Sequence, residues 1–334
     1  MNTKKLDFKK IDNVLNFMGN NAIVILLALV VIFVSITKKG FFTESNFQNI
    51  AINVAPRYLI ALGVSGALIT KGTDLSAGRL VGLGAVLAST LLQSSTYSNR
   101  MWQSLPELPI VAVLLIVVLV CALFGLLNGL VISYLNVPPF LATLGMQTIV
   151  YGINLVYSKA EPIGGLRDDY KAIATGGYGI FKNLFIIAII VGLIFWFLYN
   201  KTRYGKYMYA IGGNEHAAEV SGVNTVFTKL KIYALAGTMY GLAGFLLASK
   251  AGGASVNLGL GYELEAIAAC TIGGVSTSGG VGKVQGILVG VLVFELMKTS
   301  MQYLQINTSY QYIVQGIVII VAVAIDIRKY TKKK

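Results

Sequence analysis

The chain has 334 residues, of which 55% are apolar and only 12% are charged. Soluble domains carry about 25% charged residues, so the composition argues against a soluble enzyme and for a membrane protein. The formal charge of +13, from 27 Lys and Arg against 14 Asp and Glu, would suit nucleic-acid binding, but basic residues in a membrane protein report orientation instead. We therefore expect a lipid bilayer as surroundings and no nucleic-acid partner.

Ten stretches are long and apolar enough to be predicted as membrane-spanning helices. The first follows a lysine-rich start and resembles the core of a signal peptide. No small-residue cleavage pattern follows it, so we expect it to stay as a span. Residues 108–158 carry no charge, and Pro138-Pro139 divides them into two helices. The predicted spans are 20–37, 50–70, 74–93, 109–134, 139–157, 183–200, 231–250, 262–277, 284–304 and 309–327.

The orientation follows from the basic residues. An even number of spans places both termini on one side, and most of the 27 Lys and Arg residues then fall in the segments on the side of the termini. The positive-inside rule makes that side cytoplasmic. The sequence therefore predicts an all-α polytopic membrane protein of about ten transmembrane helices with both termini cytoplasmic. Arg57 and Lys298 are basic residues within spans.

The longest polar segment predicted inside is 201–231. Gly212-Gly213 breaks any preceding helix, Asn214 is a good N-cap, and Glu215 suits a first helical turn. Residues 215–220 favour a helix of about two turns, which Ser221-Gly222 ends. The segment is either a solvated connector or a docking helix, whose small residues Ala217 and Ala218 fit a groove of a partner protein.

Several polar residues lie within or beside spans, where such groups are often functional. Asp74 is interpreted as the N-cap of the third span, with Arg79 as a nearby cation; lining a pathway or gate is the alternative. Glu263 and Glu265 enter the eighth span, either as first-turn acids or as polar groups at the outer mouth. Asn128 and Asn154 either bridge helices or face a water-filled path.

Other patterns predict helix packing and argue against nucleotide-binding, catalytic and metal sites. Four glycine pairs with small-xxx-small spacing are expected to pack helices inside the bundle or between two copies: Gly78/Gly82, Gly125/Gly129, Gly237/Gly241 and Gly286/Gly290. The turn 273–283 is expected to be flexible. No GxxxxGK[ST] motif is present, so the chain itself is not expected to bind ATP. Neither a catalytic set nor a metal-ligand cluster is found, since one histidine and two cysteines in apolar runs do not build one.

Four segments together resemble a known family. They read TKGTDLSAGRLVG at 70–82, PFLATLGMQTIVYG at 139–152, GGNEHAAEVSGVN at 212–224 and LGLGYELEAIAACTIGGVSTSGGVGKVQGILVG at 258–290. This combination is similar to the permease subunits of bacterial ABC importers, the class that includes the ribose and galactose permeases. The details TDLSAGR and GGVSTSGGVG, with YQYIVQGIVIIVAVAID at 310–326 further on, favour the galactose/methyl-galactoside branch.

The resemblance implies a single transmembrane permease domain over 1–334 in the bacterial plasma membrane, with a cytoplasmic coupling loop at 201–231. It implies a second copy of the permease, a cytoplasmic ATPase that holds ATP and Mg²⁺, and an extracytoplasmic sugar-binding protein. The chain itself is a transport subunit without a cofactor. The residues that resemble the coupling motif, and so would contact the ATPase, are Gly213, Asn214, Glu215, Ala217, Ala218, Ser221 and Gly222.

Other functions make different predictions. A permease for ribose, another sugar or a nucleoside would keep the same architecture. A channel or secondary carrier would not need a docking motif, and an intramembrane enzyme would need a catalytic set. The coupling hypothesis predicts that Glu215→Arg together with Ala218→Arg abolishes transport and leaves the permease folded.

Overall fold

The computed structural model describes residues 22–179 and 181–331. Within these residues the chain forms thirteen helices and one short hairpin. The helices are α1 (Ala22–Thr37), α2 (Glu44–Ile69), α3 (Ala77–Leu91), α4 (Ile110–Ser133), α5 (Pro139–Ser158), α6 (Asp168–Thr175), α7 (Asn183–Lys201), α8 (Arg203–Gly213), α9 (Glu215–Val220), α10 (Thr225–Ala251), α11 (Tyr262–Ile272), α12 (Val284–Tyr303) and α13 (Thr308–Thr331). The hairpin pairs β1 (Gly177–Tyr178) with β2 (Phe181–Lys182).

The helix boundaries follow local sequence signals. Pro138 and Pro139 open α5 because a proline at the first helical position lacks only an N–H that has no helical partner. The side chain of Asn224 caps α10 by accepting a hydrogen bond from the backbone N–H of Phe227 at 2.8 Å. Gly252 ends α10 in the left-handed conformation, at φ 70°.

Within the described residues, each of the ten predicted spans overlaps a helix, and seven of these helices are long and apolar enough to cross a membrane. They are α2, α4, α5, α7, α10, α12 and α13. Residues 1–21, which include the start of the first predicted span and its preceding lysines, lie outside the described residues, as do 332–334.

The eighth prediction was wrong in length. A helix was predicted over 262–277, but α11 ends at Ile272 and has 11 residues. At 1.5 Å per residue it is about 16 Å long, half the thickness of a bilayer core of about 30 Å. Two glycines, Gly273 and Gly274, end it, and Gly274 has a positive φ that a continuing helix cannot use.

Burial separates central helices from peripheral ones. The most apolar windows of α2 and α10 are 83% and 72% buried, whereas those of α4, α5 and α13 are each only 22% buried. The exposed faces of the peripheral helices carry large apolar side chains, such as Leu115, Leu119 and Leu123 on α4. Such faces are stable in contact with lipid, and a bilayer would cover them.

The glycine pairs pack helices within this one chain. A Cβ added to Gly125 of α4 would lie 2.2 Å from the carbonyl oxygen of Tyr233 on α10, and one added to Gly237 would lie 2.3 Å from that of Cys121. The other pairs are similarly close to backbone or side-chain atoms of this chain. The small residues therefore let backbones approach inside the bundle.

The loops gather at two ends of the bundle. At the first, which we call the α9 end, the backbone N–H of Gly280 donates to the carbonyl of Ile69 at 2.8 Å, and Lys71 Nζ donates to that of Gly213 at 3.2 Å. At the opposite end, Ile163 pairs with Ala254 in a short antiparallel bridge. Segments predicted on one side of the membrane thus lie together.

Candidate functional site

A cluster of four charged side chains joins three helices in the half of the bundle away from α9. Arg57 of α2 contacts Glu265 of α11 at 3.2 Å and Glu295 of α12 at 3.1 Å. Lys298 of α12 contacts the other oxygen of Glu265 at 2.9 Å. Each charge has an opposite partner, which lowers the cost of burying it, and the Oε2 of Glu295 has the Arg57 contact but no hydrogen bond within the described residues.

A polar cavity of about 320 Å³ adjoins this cluster, between α2, α12 and α13. Its walls are three of the charged residues together with amide and hydroxyl side chains: Asn53, Arg57, Glu295, Lys298, Gln302, Thr308, Gln311, Tyr312 and Gln315. Lys250, at the end of α10, donates a hydrogen bond to the side-chain oxygen of Asn53. The cavity holds many hydrogen-bonding groups in a part of the molecule that is otherwise apolar.

The structure separates the two glutamates that the sequence placed together. Glu265 joins the charged cluster, while Glu263 lies 6% exposed against α3, where its Oε2 has no hydrogen-bond partner among the described residues. A Cβ on Gly78 would lie 2.0 Å from that oxygen. Glu263 is therefore held at a contact between α3 and α11, away from the cavity.

Asp74 does not cap α3, contrary to the favoured interpretation. Its Oδ1 accepts from the backbone N–H of Ser76 at 3.0 Å and the hydroxyl of Ser76 at 2.6 Å, and its Oδ2 accepts from Tyr240 at 2.9 Å. Ser76 is the N-cap residue, without a side-chain capping bond. Arg79 donates instead to the carbonyl of Val256 and stacks on Tyr151. Asp74 closes a local turn and ties it to α10, because hydroxyl donors satisfy its carboxylate.

The two asparagines lie inside the bundle and outside the polar cavity. Asn128 is 1% exposed and donates to the hydroxyl of Ser76 at 2.9 Å, so it belongs to the Asp74 network. Asn154 on α5 is fully buried, and neither polar atom of its side chain has a hydrogen-bond partner among the described residues. Their contribution to a pathway stays a prediction.

The predicted short helix is present as α9, from Glu215 to Val220. Asn214 caps it by accepting from the backbone N–H of Ala217 at 3.0 Å, and Ser221 follows its last residue. Glu215 pairs with Lys229 at the start of α10. The prediction missed the preceding helix α8, whose buried residues Met208 and Ile211 give it an apolar side, so 201–231 is mostly helical and not a simple loop.

The exposed face of α9 differs from the predicted one. Gly213, Asn214, Ala217 and the residues 219–222 are exposed, and Val220 is 76% exposed. Ala218 is only 5% exposed and faces its own chain. Because a buried arginine would disturb the fold itself, Glu215→Arg together with Ala218→Arg is not expected to leave the permease folded, contrary to the prediction.

A tight joint connects this segment with α2 and with the turn 273–283. A Cβ added to Gly212 would lie 1.8 Å from the carbonyl oxygen of Ile69, the last residue of α2, and 2.5 Å from the backbone nitrogen of Gly280. The hydroxyl of Tyr209 on α8 donates to the carbonyl of Gly282 at 2.8 Å. We call this contact the Gly212 joint. Since α2 also carries Arg57, one helix connects the Gly212 joint beside α9 with the charged cluster.

The turn 273–283 is held in place, although its glycines predicted flexibility. Asp326 of α13 accepts from the backbone N–H and the hydroxyl of Thr277, both at 2.9 Å. Together with the bond from Gly280 to Ile69, these contacts fix the turn between α2 and α13. The glycines supply the positive φ angles at residues 274, 279 and 280 that the turn requires.

The loops at the opposite end are joined by Arg167. Its Nη1 donates to the carbonyl of Leu108 at 2.8 Å, and its Nε donates to Asp169 at 3.0 Å. The guanidinium lowers the pKa of the exposed Asp169 carboxyl below its usual range through this hydrogen bond. The loop before α4 and the segment before α6 therefore form one surface.

Comparison with known sequences decides the family. Residues 46–323 match the family described as the permease component of the branched-chain amino acid transport system, which covers all helices from α2 to most of α13. The chain belongs to this permease family.

Individual relatives align with nearly the whole length of this permease. The chain is 46% identical to the galactose/methyl galactoside import permease protein of Haemophilus influenzae, over 96% of this chain and 97% of that protein. It is 45% identical to the protein of the same name in Escherichia coli K12, with the same coverage. The ribose import permease protein of Bacillus subtilis is 38% identical over 91% of each chain. No solved structure matches the permease.

The partners in the charged cluster of the permease were not predicted from the sequence. Arg57 and Lys298 are predicted only as basic residues within spans, and no role is predicted for Glu295. The available signal was the pair of opposite charges, Glu295 and Lys298, three residues apart in the otherwise apolar α12. Which distant residue such charges contact is set by helix packing alone.

The Gly212 joint gives a matched test. We expect Gly212→Ala to destabilise the permease by about 1–3 kcal/mol, the usual cost of overpacking, because the new methyl group overlaps backbone atoms of α2. Gly213→Ala is the control, since nothing lies within 4 Å of the position that its added methyl group would take. Thermal unfolding of the two purified variants measures the difference. Equal melting temperatures would show that the joint is not tight.

Proposed function

We propose that this permease is the membrane-spanning subunit of a bacterial ABC importer that brings galactose and methyl galactoside into the cytoplasm. The full-length similarity to galactose/methyl galactoside import permeases, at 45–46% identity, carries the choice of substrate. A ribose import permease is less similar, at 38% identity, so ribose is the alternative substrate. The protein crosses the plasma membrane with ten hydrophobic segments and has both termini in the cytoplasm.

The proposed mechanism depends on the Gly212 joint. The exposed face of α9, with Gly213, Asn214, Ala217, Ser221 and Gly222, docks on a cytoplasmic ATPase that binds ATP and Mg²⁺. Glu215, half-buried in its ion pair with Lys229, borders that face. Ala218 is buried on the opposite side of α9 and packs against its own chain. Closure of the ATPase displaces α9, and the backbone contact between Gly212 and Ile69 transfers the displacement to α2. The differential affinity of the ATPase for two permease conformations supplies the free energy.

The other proposed partners contact different surfaces. A sugar-binding protein docks on the loop surface joined by Arg167, at the end opposite α9. A second copy of the permease completes the importer, and the translocation path lies between the copies. Four buried polar residues are proposed to hold the helices around that path in their relative positions: Asp74, Asn128, Asn154 and Glu263. Glu265 contacts Arg57, which lines the polar cavity.

Deleting the gene for this chain from its host tests the function. We expect uptake of labelled galactose and methyl galactoside at micromolar concentration to be lost, uptake of labelled ribose to be unchanged, and a plasmid copy to restore transport. An affinity-tagged copy is expected to co-purify with an ATPase subunit. Selective loss of ribose uptake would assign the alternative substrate. Unchanged uptake of all three sugars would contradict the importer proposal.

A further inference from the structure

The polar cavity has the size and the lining of a small-molecule site. Its volume of about 320 Å³ falls at the lower end of the range of about 300–1,000 Å³ for such sites. It lies where α2 and α13 begin and α12 ends, in the half of the bundle away from α9. On the proposed topology this is the outer half of the membrane, the side from which the sugar arrives.

Both carboxylates beside the cavity are already ion-paired. Arg57 contacts Glu265 and Glu295, and Lys298 contacts Glu265, while Lys250, which donates to Asn53, adds a third cation. A cationic ligand would therefore find no free carboxylate in this cluster and would lose its hydration without compensation. A neutral ligand avoids that cost, and the ion pairs still offer it polarised donors and acceptors.

The amide side chains supply unused hydrogen-bonding capacity. Gln315 is 6% exposed, yet no described residue hydrogen-bonds its side chain, and the amide of Gln302 is likewise unbonded within the described chain. Each amide offers two donors and one acceptor oxygen. A hydroxyl group is also both donor and acceptor, so a ligand with several hydroxyls matches these walls.

One wall is aromatic. Tyr312 lines the cavity beside Gln311 and Gln315 of α13. A pyranose presents hydroxyls at its edge and an apolar C–H face, and an aromatic ring that is apolar on its face and polar at its tip suits both. The combination of amides, ion-paired carboxylates and one aromatic ring favours a single sugar ring over a cationic or apolar ligand.

We propose that the permease itself binds one neutral pyranose in this cavity, with the amides of Gln302 and Gln315 as hydrogen-bonding partners of its hydroxyls. The inference rests on the proposed function and adds a site within the membrane subunit. It also gives α2 two roles, since Arg57 borders the cavity and Ile69 contacts Gly212. Occupation of the site and docking at α9 then act on the same helix.

Replacing the two free amides tests the site. The variant Gln302→Leu with Gln315→Leu removes hydrogen-bonding groups that no described residue uses, so folding is expected to persist. We expect about a tenfold or greater rise in the half-saturating concentration of D-galactose for the purified permease in nanodiscs, since two hydrogen bonds are lost. Gln285→Leu, at the other end of α12 and outside the cavity, is the matched control.

Competition by a cationic sugar tests the charge argument. Methyl galactoside is expected to displace labelled galactose, whereas galactosamine is expected to compete at least about tenfold more weakly, because its ammonium group meets three cations and no free carboxylate. Equal competition by galactosamine would overturn the charge argument. Absence of saturable galactose binding to the wild-type permease would overturn the site.

The two proposals fail in different ways. If cells import galactose through the wild-type permease and the double variant does so within twofold, the cavity is not a sugar site and the proposed function stands. If wild-type cells do not import galactose, the proposed function falls. Binding of galactose, glucose and ribose to the purified permease then tests separately whether the cavity is a sugar site. Equal binding by the wild-type permease and by the double variant Gln302→Leu with Gln315→Leu would overturn that site.

Discussion

Replacing Arg57 with methionine is expected to destabilise the permease by about 3–5 kcal/mol, the typical effect of removing one partner from a buried ion pair. Glu295 is 3% exposed, and Arg57 is its only ion-pair partner within the described chain. Without the guanidinium, its carboxylate must stay charged at low exposure with no ion-pair partner or take up a proton. Thermal unfolding of the purified variant in detergent measures the loss.

A second substitution separates charge from packing. Glu295→Gln in the Arg57→Met background removes the unpaired carboxylate but keeps the Glu265–Lys298 pair intact. We expect it to restore more than half of the lost stability. Arg203→Met at an exposed position is the control and should change stability by less than about 0.5 kcal/mol. A loss no larger than that of the control would show that the cluster contributes nothing to folding.

Placing arginine at Ala217 is expected to abolish transport, with uptake falling more than about tenfold. Ala217 is exposed on α9, and its small side chain allows close approach of a partner surface. A long charged side chain there would block docking or bury an unpaired charge, each of which typically costs several kcal/mol. Uptake in cells, together with co-purification of the ATPase, provides the measurement.

The control is the same substitution at Ala172, which is exposed on α6 near the opposite end of the bundle. Ala172→Arg is expected to retain the ATPase, and both variants are expected to have wild-type melting temperatures. Retained uptake and co-purification in Ala217→Arg would refute the docking role of α9. A lower melting temperature in Ala217→Arg alone would point to misfolding.

Hydropathy predicted the long helices well because lipid requires each spanning segment to be apolar throughout. It failed at α11, where the uncharged run continues past Ile272 but Gly273 and Gly274 end the helix. It also missed α6 and α8, since an amphipathic helix contributes too few apolar residues to stand out in an average. The apolar spacing of Tyr204, Met208 and Ile211 was the signal that could have found α8.

Helix caps were predicted equally well from the sequence, because a cap depends on residues that are neighbours in the chain. Asn214 caps α9 as predicted, and Pro138-Pro139 divides α4 from α5. Asp74 shows the limit of the same reasoning. A carboxylate before a helix usually caps it, but here the neighbouring Ser76 and the distant Tyr240 provide better donors.

The sequence by itself determined that this protein is a helical membrane permease, because composition, spacing and motifs are properties of the chain alone. Only the tertiary structure decided that Arg57, Glu265, Glu295 and Lys298 meet, that Ala218 faces inward, and that Gly212 lies against Ile69. Those contacts join residues far apart in the chain. They depend on the rotation and depth of each packed helix, and small differences in helix geometry change them without changing the hydropathy pattern.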